Sequence, residues 1–157
     1  MTRLYGRSPR GERLRAKSPR GHWRTTTMIS SIRLDGSTAC LTIEAATDTE
    51  VFRAYVREIL YPTLRPGDVV VLDNLSSHKN AHTLDLIRTA GASVEFLPAY
   101  SPALNPIEMM WSKVKARLRA VEARTHPDLI HAIGQALRGV TAQDALHWFA
   151  HCGYSFV

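Results

Sequence analysis

The stretch DVVVLDN, residues 68–74, decides the fold class of this chain. Four consecutive apolar residues bounded by aspartates are typical of a fully buried strand in a parallel sheet. Residues 80–90 follow as a helix that Gly91 ends, and SVEFLP at 93–98 is a second short strand. A strand, a helix and another strand in this order predict two parallel strands joined by a right-handed crossover.

The sequence upstream of this unit predicts a β-hairpin and a helix. WRTTTMISSIRL at 23–34 and STACLTIEAA at 37–46 are rich in Thr and Ile, and the dipeptide Asp35-Gly36 between them is typical of a hairpin turn. Apolar residues at helical spacing follow from Val51, so we expect a helix capped by Thr47 or Thr49 and ended by Pro62. The chain order of these three segments is strand, strand, helix.

The downstream third of the chain predicts three helices. Asn105 can cap the first of them and Pro106 suits its first position, and apolar residues then recur at intervals of three and four. A second helix begins near 125–128, and a third at Thr141, with Asp144 as the partner in a capping box. The whole order predicts an α/β fold in which helices flank one mixed sheet.

Positive charge favours a polyanionic partner. The chain of 157 residues has a formal net charge of +6, and nucleic acid is the obvious candidate. Residues 1–22 combine arginine with Gly, Ser and Pro and predict an extended basic arm, although a flexible tail remains the alternative. A second basic group lies on the helix after Pro106. The residues we expect to contact DNA phosphates in these two groups are Arg15, Lys17, Arg20, Lys113, Lys115 and Arg117.

The composition argues against a membrane or secreted protein. No apolar run approaches the roughly 20 residues that span a bilayer, and the first residues lack the apolar stretch of a secretory signal. We therefore expect a cytoplasmic protein, associated with the nucleoid if it binds DNA.

Two acidic residues stand where chemistry is expected. Asp73 ends the buried strand, and the carboxyl ends of strands line the functional crevice of such sheets. Its alternative role is to cap the turn that follows. Glu108 stands three residues after the helix cap Asn105, which is also the place of a capping-box glutamate. Position alone leaves both alternatives open.

The sequence around the two acids closely resembles a known family. LDNLSSHK at 72–79 and AYSPALNPIEMMWSKVK at 99–115 resemble the last two acidic motifs of mariner-like transposases, in particular the bacterial branch built around insertion sequence 630. The 34 residues between Asp73 and Glu108 match the spacing of that superfamily. The order of elements from Trp23 to about Ala120 resembles its ribonuclease-H-like fold.

The resemblance implies a metal-dependent enzyme that cuts and joins DNA. Three carboxylates would hold two Mg²⁺ ions, with Mn²⁺ as a substitute. Asp73 matches the second acid and Glu108 the third, while Asn74 and His78 match polar positions that often follow the second acid. DNA, comprising transposon ends and target, is the implied partner, and a homodimer is a further expectation.

The first acid of the family has no match here. Asp35, Glu44 and Asp48 fall in the hairpin turn, the second strand and the next helix start, whereas the family carries this acid on the first strand of the fold. We therefore interpret residues 23–157 as a ribonuclease-H-like catalytic domain missing its first strand, and we expect it to be inactive alone. The alternatives are a non-catalytic DNA-binding or multimerising remnant of a transposase, and an unrelated basic α/β domain.

Overall fold

The computed structural model describes residues 5–15 and 25–155 and shows a mixed α/β protein. Residues 5–15 are exposed and contain a turn closed by a hydrogen bond from the Glu12 amide to the Pro9 carbonyl, at 3.1 Å. The regular elements after residue 25 are, in chain order, β1 (Thr27–Ile32), β2 (Thr38–Ile43), α1 (Thr49–Tyr55), β3 (Val69–Leu72), α2 (Ala81–Thr89), β4 (Ser93–Phe96), α3 (Pro106–Val121), α4 (His126–Arg138) and α5 (Ala142–His151).

The predicted elements form, with corrections around the first helix. Asp48, rather than Thr47 or Thr49, caps α1, because its carboxylate accepts the Val51 amide at 2.8 Å. Pro62 does not end the helical segment. After α1 the chain continues through a π-helical stretch, Val56–Leu60, and a 3₁₀ turn, Tyr61–Thr63, in which Pro62 occupies an early position that requires no amide donor.

The strands pair into two small sheets instead of the single mixed sheet that we expected. β1 and β2 form an antiparallel hairpin, and β3 and β4 pair in parallel, as the sequence predicted. In the described part of the chain, no strand lies between the two pairs. One link between them is a side-chain bridge: Arg33, just after β1, donates to both carboxylate oxygens of Asp68, just before β3, at 2.8 and 2.6 Å.

Two apolar clusters, formed mainly by helices, cover the sheets. The hairpin lies between them, since Met28 and Ile32 pack against one cluster and Ile29 against the other. One cluster joins buried residues of α3 and α4, namely Met110, Val114, Leu118, Ala132, Ile133 and Ala136. The other, the α1–α2 cluster, joins residues of α1, its π-helical extension, α2 and the residue just before β4, namely Phe52, Tyr55, Val56, Leu60, Ile87 and Ala92.

β3 is covered on one face only, so the prediction of a fully buried strand was wrong. Val70 and Leu72 pack against the α1–α2 cluster, whereas Val69 and Val71 point away and are 58% and 38% exposed. A parallel strand is buried on both faces only when helices cover both. The helices α3 and α4, which cover the second face of the hairpin, pack against β1 and do not extend this cover to β3.

The C-terminal helix is attached to α3 by a charged contact. Thr141 and Asp144 form the predicted capping box at the start of α5. The Asp144 carboxylate also accepts a hydrogen bond from Lys113 of α3. This bond and the Thr141 amide lower the pKa of Asp144 to about 2. None of the helices in the described ranges is long and apolar enough to cross a bilayer.

The depressed pKa predicts an acid-sensitive contribution to stability. A carboxylate whose pKa is lower in the folded state stabilises the fold above its unfolded pKa, and this contribution is lost as the pH falls through the folded value. We expect the wild-type protein to lose about 1 kcal/mol from this source between pH 4 and 2, a modest value because both side chains are partly exposed. Urea denaturation of the wild type and Asp144→Asn across this range measures it. Equal pH dependence in the two proteins would contradict the prediction.

Candidate active site

Asp73 lies at the carboxyl end of the parallel strand pair. It follows β3 directly, where the Leu97 amide continues the pairing by donating to the Leu72 carbonyl at 2.8 Å. The Asp73 side chain is 41% exposed, so solvent and ligands can reach it. Its Oδ1 atom accepts the Leu75 amide at 3.3 Å, a long hydrogen bond. Asp73 therefore does cap the turn that follows it, but with only one of its two carboxylate oxygens.

His78 contacts the same oxygen of Asp73. It lies in the 3₁₀ turn Ser76–Lys79, and its Nδ1 atom is 2.6 Å from Asp73 Oδ1. The imidazole stacks on Phe52 of α1, with ring centroids 4.0 Å apart, and its side chain is only 15% exposed. The apolar core thus fixes the ring that meets the carboxylate. Asn74, the other polar position after the acid, is exposed.

Glu108 lies in the first turn of α3 with its carboxylate in solvent. Asn105 makes no side-chain cap, and the bond at this helix start runs from the Glu108 amide to the Asn105 carbonyl at 3.1 Å. The capping-box alternative is therefore not observed for Glu108. The segment before α3 is held just ahead of Asn105, where the Tyr154 hydroxyl donates to the Leu104 carbonyl at 3.1 Å.

The structure brings Asp73 and His78 together but shows no hydrogen bond or ion pair from the Glu108 side chain to either. Within residues 5–15 and 25–155, no group of three or more His, Cys, Asp or Glu side chains is arranged to hold a metal ion. That Asp73 and Glu108 share a metal stays a prediction. The three upstream acids considered as the first acid have other partners: Asp35 accepts the Ser37 amide, Asp48 caps α1, and Glu44 pairs with His126 of α4.

The basic residues of α3 divide between two sides of the helix. At about 100° per residue, Lys115 and Arg119 fall on the side of Glu108, whereas Lys113 and Arg117 fall roughly opposite. Lys113 is bound to Asp144, and the Arg117 guanidinium lies beside Gly139 at the end of α4. Lys113, Lys115 and Arg117 therefore do not form one continuous basic face, because alternate residues of a helix do not share a side.

The basic arm is described only in part. Arg15 is exposed, and Lys17 and Arg20 lie outside the described residues. Sequence reasoning missed the stacking of His78 on Phe52. The helical spacing indicated Phe52 only as a core position of an amphipathic helix, and nothing in the local pattern pairs it with a histidine in a later turn.

Two comparisons with known proteins agree on the family. Residues 1–130 match the profile of the DDE superfamily endonuclease family. The chain is also 33% identical over 79 residues to the transposable element Tcb1 transposase of Caenorhabditis briggsae; the match covers 45% of this chain and 29% of that protein. The chain thus matches less than a third of this relative's length. Because the family match covers more than half of the sequence, the chain belongs to the DDE superfamily endonuclease family.

Proposed function

We propose that this chain is part of a DNA transposase, of the bacterial branch built around insertion sequence 630, with a ribonuclease-H-like catalytic domain from residue 23 onward. Its role would be metal-dependent cleavage of DNA and transfer of the cut strand. The observation that carries the proposal is the pair of carboxylates in the family-matching motifs, both of which have oxygens open to a ligand. The Asp73 contacts use Oδ1, and Glu108 is exposed and makes no capping bond.

The donor chemistry of these residues suits Mg²⁺ or Mn²⁺. Carboxylate oxygens are the ligands that Mg²⁺ prefers, and one or two of them suffice when water and substrate phosphate complete the coordination. Asp73 would offer Oδ2, and Glu108 would offer either oxygen. A bound metal would polarise the scissile phosphate and lower the pKa of its water. A two-metal site needs at least one further carboxylate, which the described residues do not place beside Asp73.

Charge on the same side of α3 supports a DNA path next to these acids. Lys115 lies about 10 Å along the helix from Glu108, and Arg119 about 16 Å, at a rise of 1.5 Å per residue. Phosphates of a strand held at Glu108 could be neutralised by this pair, and the basic arm would add contacts elsewhere on the duplex. A non-catalytic DNA-binding remnant is the second candidate. The absence of a three-carboxylate group from the described ranges favours it.

Metal binding tests the site assignment directly. We expect Asp73→Asn and Glu108→Gln each to weaken Mn²⁺ binding by about tenfold or more, an effect of about 1.4 kcal/mol per decade. Electron paramagnetic resonance of free Mn²⁺ during titration of the folded protein measures the affinity. Asp85→Asn is the matched control, because Asp85 is an exposed acid on α2 that pairs with Arg88 in the same helix. If all three variants bind Mn²⁺ like the wild type, the proposed site is wrong.

A further inference from the structure

We propose that His78 is a positioning residue that holds one oxygen of Asp73 and thereby turns the other toward a bound divalent cation. The inference rests on the proposed function, because it takes Asp73 as a metal ligand. It adds a specific atom, Nδ1 of His78, and a specific support, the ring of Phe52. Three observations on these residues lead to it.

The first observation is that the Phe52 ring packs against the His78 imidazole and fixes its orientation. Phe52 is 2% exposed and belongs to the buried cluster under α1. Its ring stacks on His78 at a centroid distance of 4.0 Å with the planes inclined by 33°. A close-packed core residue has little freedom to move, so the His78 ring has a defined orientation relative to the end of β3.

The second observation is that Asp73 is the neighbour to which the Nδ1 atom of His78 can donate a hydrogen bond. It is buried and forms no hydrogen bond of good geometry, although Asp73 Oδ1 is 2.6 Å away. A buried nitrogen without a hydrogen bond is costly, and a small rotation of the carboxylate would align it with this N–H. The contact thus favours a proton on Nδ1 and one rotamer of Asp73.

The third observation is that both contacts fall on the same oxygen. The Leu75 amide and His78 meet Oδ1, and Oδ2 is left for a ligand. Hydrogen bonds from outer groups commonly orient a metal-binding side chain, and their loss typically lowers metal affinity by about 10- to 100-fold. His78 would have this effect without touching the metal or the DNA.

Three substitutions at position 78 separate positioning from packing. His78→Phe keeps a ring on Phe52 but removes the donor, so we expect Mn²⁺ affinity to fall by about tenfold. His78→Asn places an amide N–H near the Nδ1 position and should restore most of the affinity. His78→Gln places its amide one carbon further from the backbone, beyond the Nδ1 position, and should not restore the affinity. Any general loss of stability is shared by the last two variants and cancels between them.

The result also distinguishes this inference from the site on which it rests. If Asp73→Asn weakens Mn²⁺ binding while His78→Phe does not, or if His78→Gln recovers as well as His78→Asn, positioning by Nδ1 is wrong and the metal site stands. If Asp73→Asn has no effect, the site assignment itself fails. A metal-free measurement then decides the contact: ¹⁵N NMR of the imidazole should show the proton on Nδ1, with a changed signal in Asp73→Asn. A proton on Nε2 alone would overturn the inference.

Discussion

DNA nicking is expected only when a third carboxylate joins Asp73 and Glu108, and it should fall by at least about a thousandfold when either of these two acids is neutralised. Two-metal phosphoryl chemistry places one ion at the attacking oxygen and one at the leaving oxygen, so the ions need a shared ligand between them. The acids near the hairpin are not placed to be this ligand. Asp35 contacts the Ser37 amide, Asp48 the Val51 amide and Glu44 His126, and the described residues contain no group of three acids that could hold a metal.

The experiment compares this chain with a version extended at its N-terminus by a strand that carries the family's first acid. Both are incubated with supercoiled plasmid and with transposon-end DNA in Mg²⁺ or Mn²⁺, and nicked product is quantified. We expect product only from the extended protein, and none from its Asp73→Asn and Glu108→Gln variants. Metal-dependent nicking by the shorter chain, abolished by Asp73→Asn, would show that residues 1–157 suffice for cleavage. No activity in either protein would favour the non-catalytic candidate.

DNA affinity is expected to fall by about a hundredfold or more between 50 and 200 mM salt. Each neutralised phosphate contributes about −0.9 to the slope of log K against log salt, and about four contacts from α3 and the arm give this loss. Affinity should depend little on sequence, since phosphates carry no base information. Fluorescence anisotropy with two unrelated duplexes at several salt concentrations measures both properties.

The helix geometry makes the DNA prediction specific to one side of α3. Replacing Lys115 and Arg119 together with alanine should reduce the salt slope by about 2, and replacing Arg15, Lys17 and Arg20 should reduce it further. Arg117→Ala is the matched control, because Arg117 lies on the opposite side beside Gly139. If Arg117→Ala lowered the salt slope as much as the loss of Lys115 does, the assignment of DNA contact to the Lys115 side of α3 would be wrong. Affinity that is independent of salt would remove phosphate contact altogether.

Local patterns were sufficient for most of the secondary structure. The dipeptide Asp35-Gly36 closes the hairpin, and the box formed by Thr141 and Asp144 starts α5. The apolar run after Asp68 forms a strand that pairs in parallel with the one after Ala92. Such features depend on neighbours a few residues away, whose propensities and hydrogen bonds act within the segment itself. The acidic motifs are likewise contiguous in sequence, which is why they indicated the family.

The tertiary structure decided what no local pattern contains. Val69 and Val71 are apolar enough for a core, yet they are exposed because no helix covers that face of β3. Lys113 belongs to a basic run, yet it binds Asp144, 31 positions away, because α5 packs against α3. His78 meets Asp73 in a fixed orientation because α1 brings Phe52 beneath it. Each of these outcomes depends on which distant segment occupies the adjoining space, and packing between whole elements determines that.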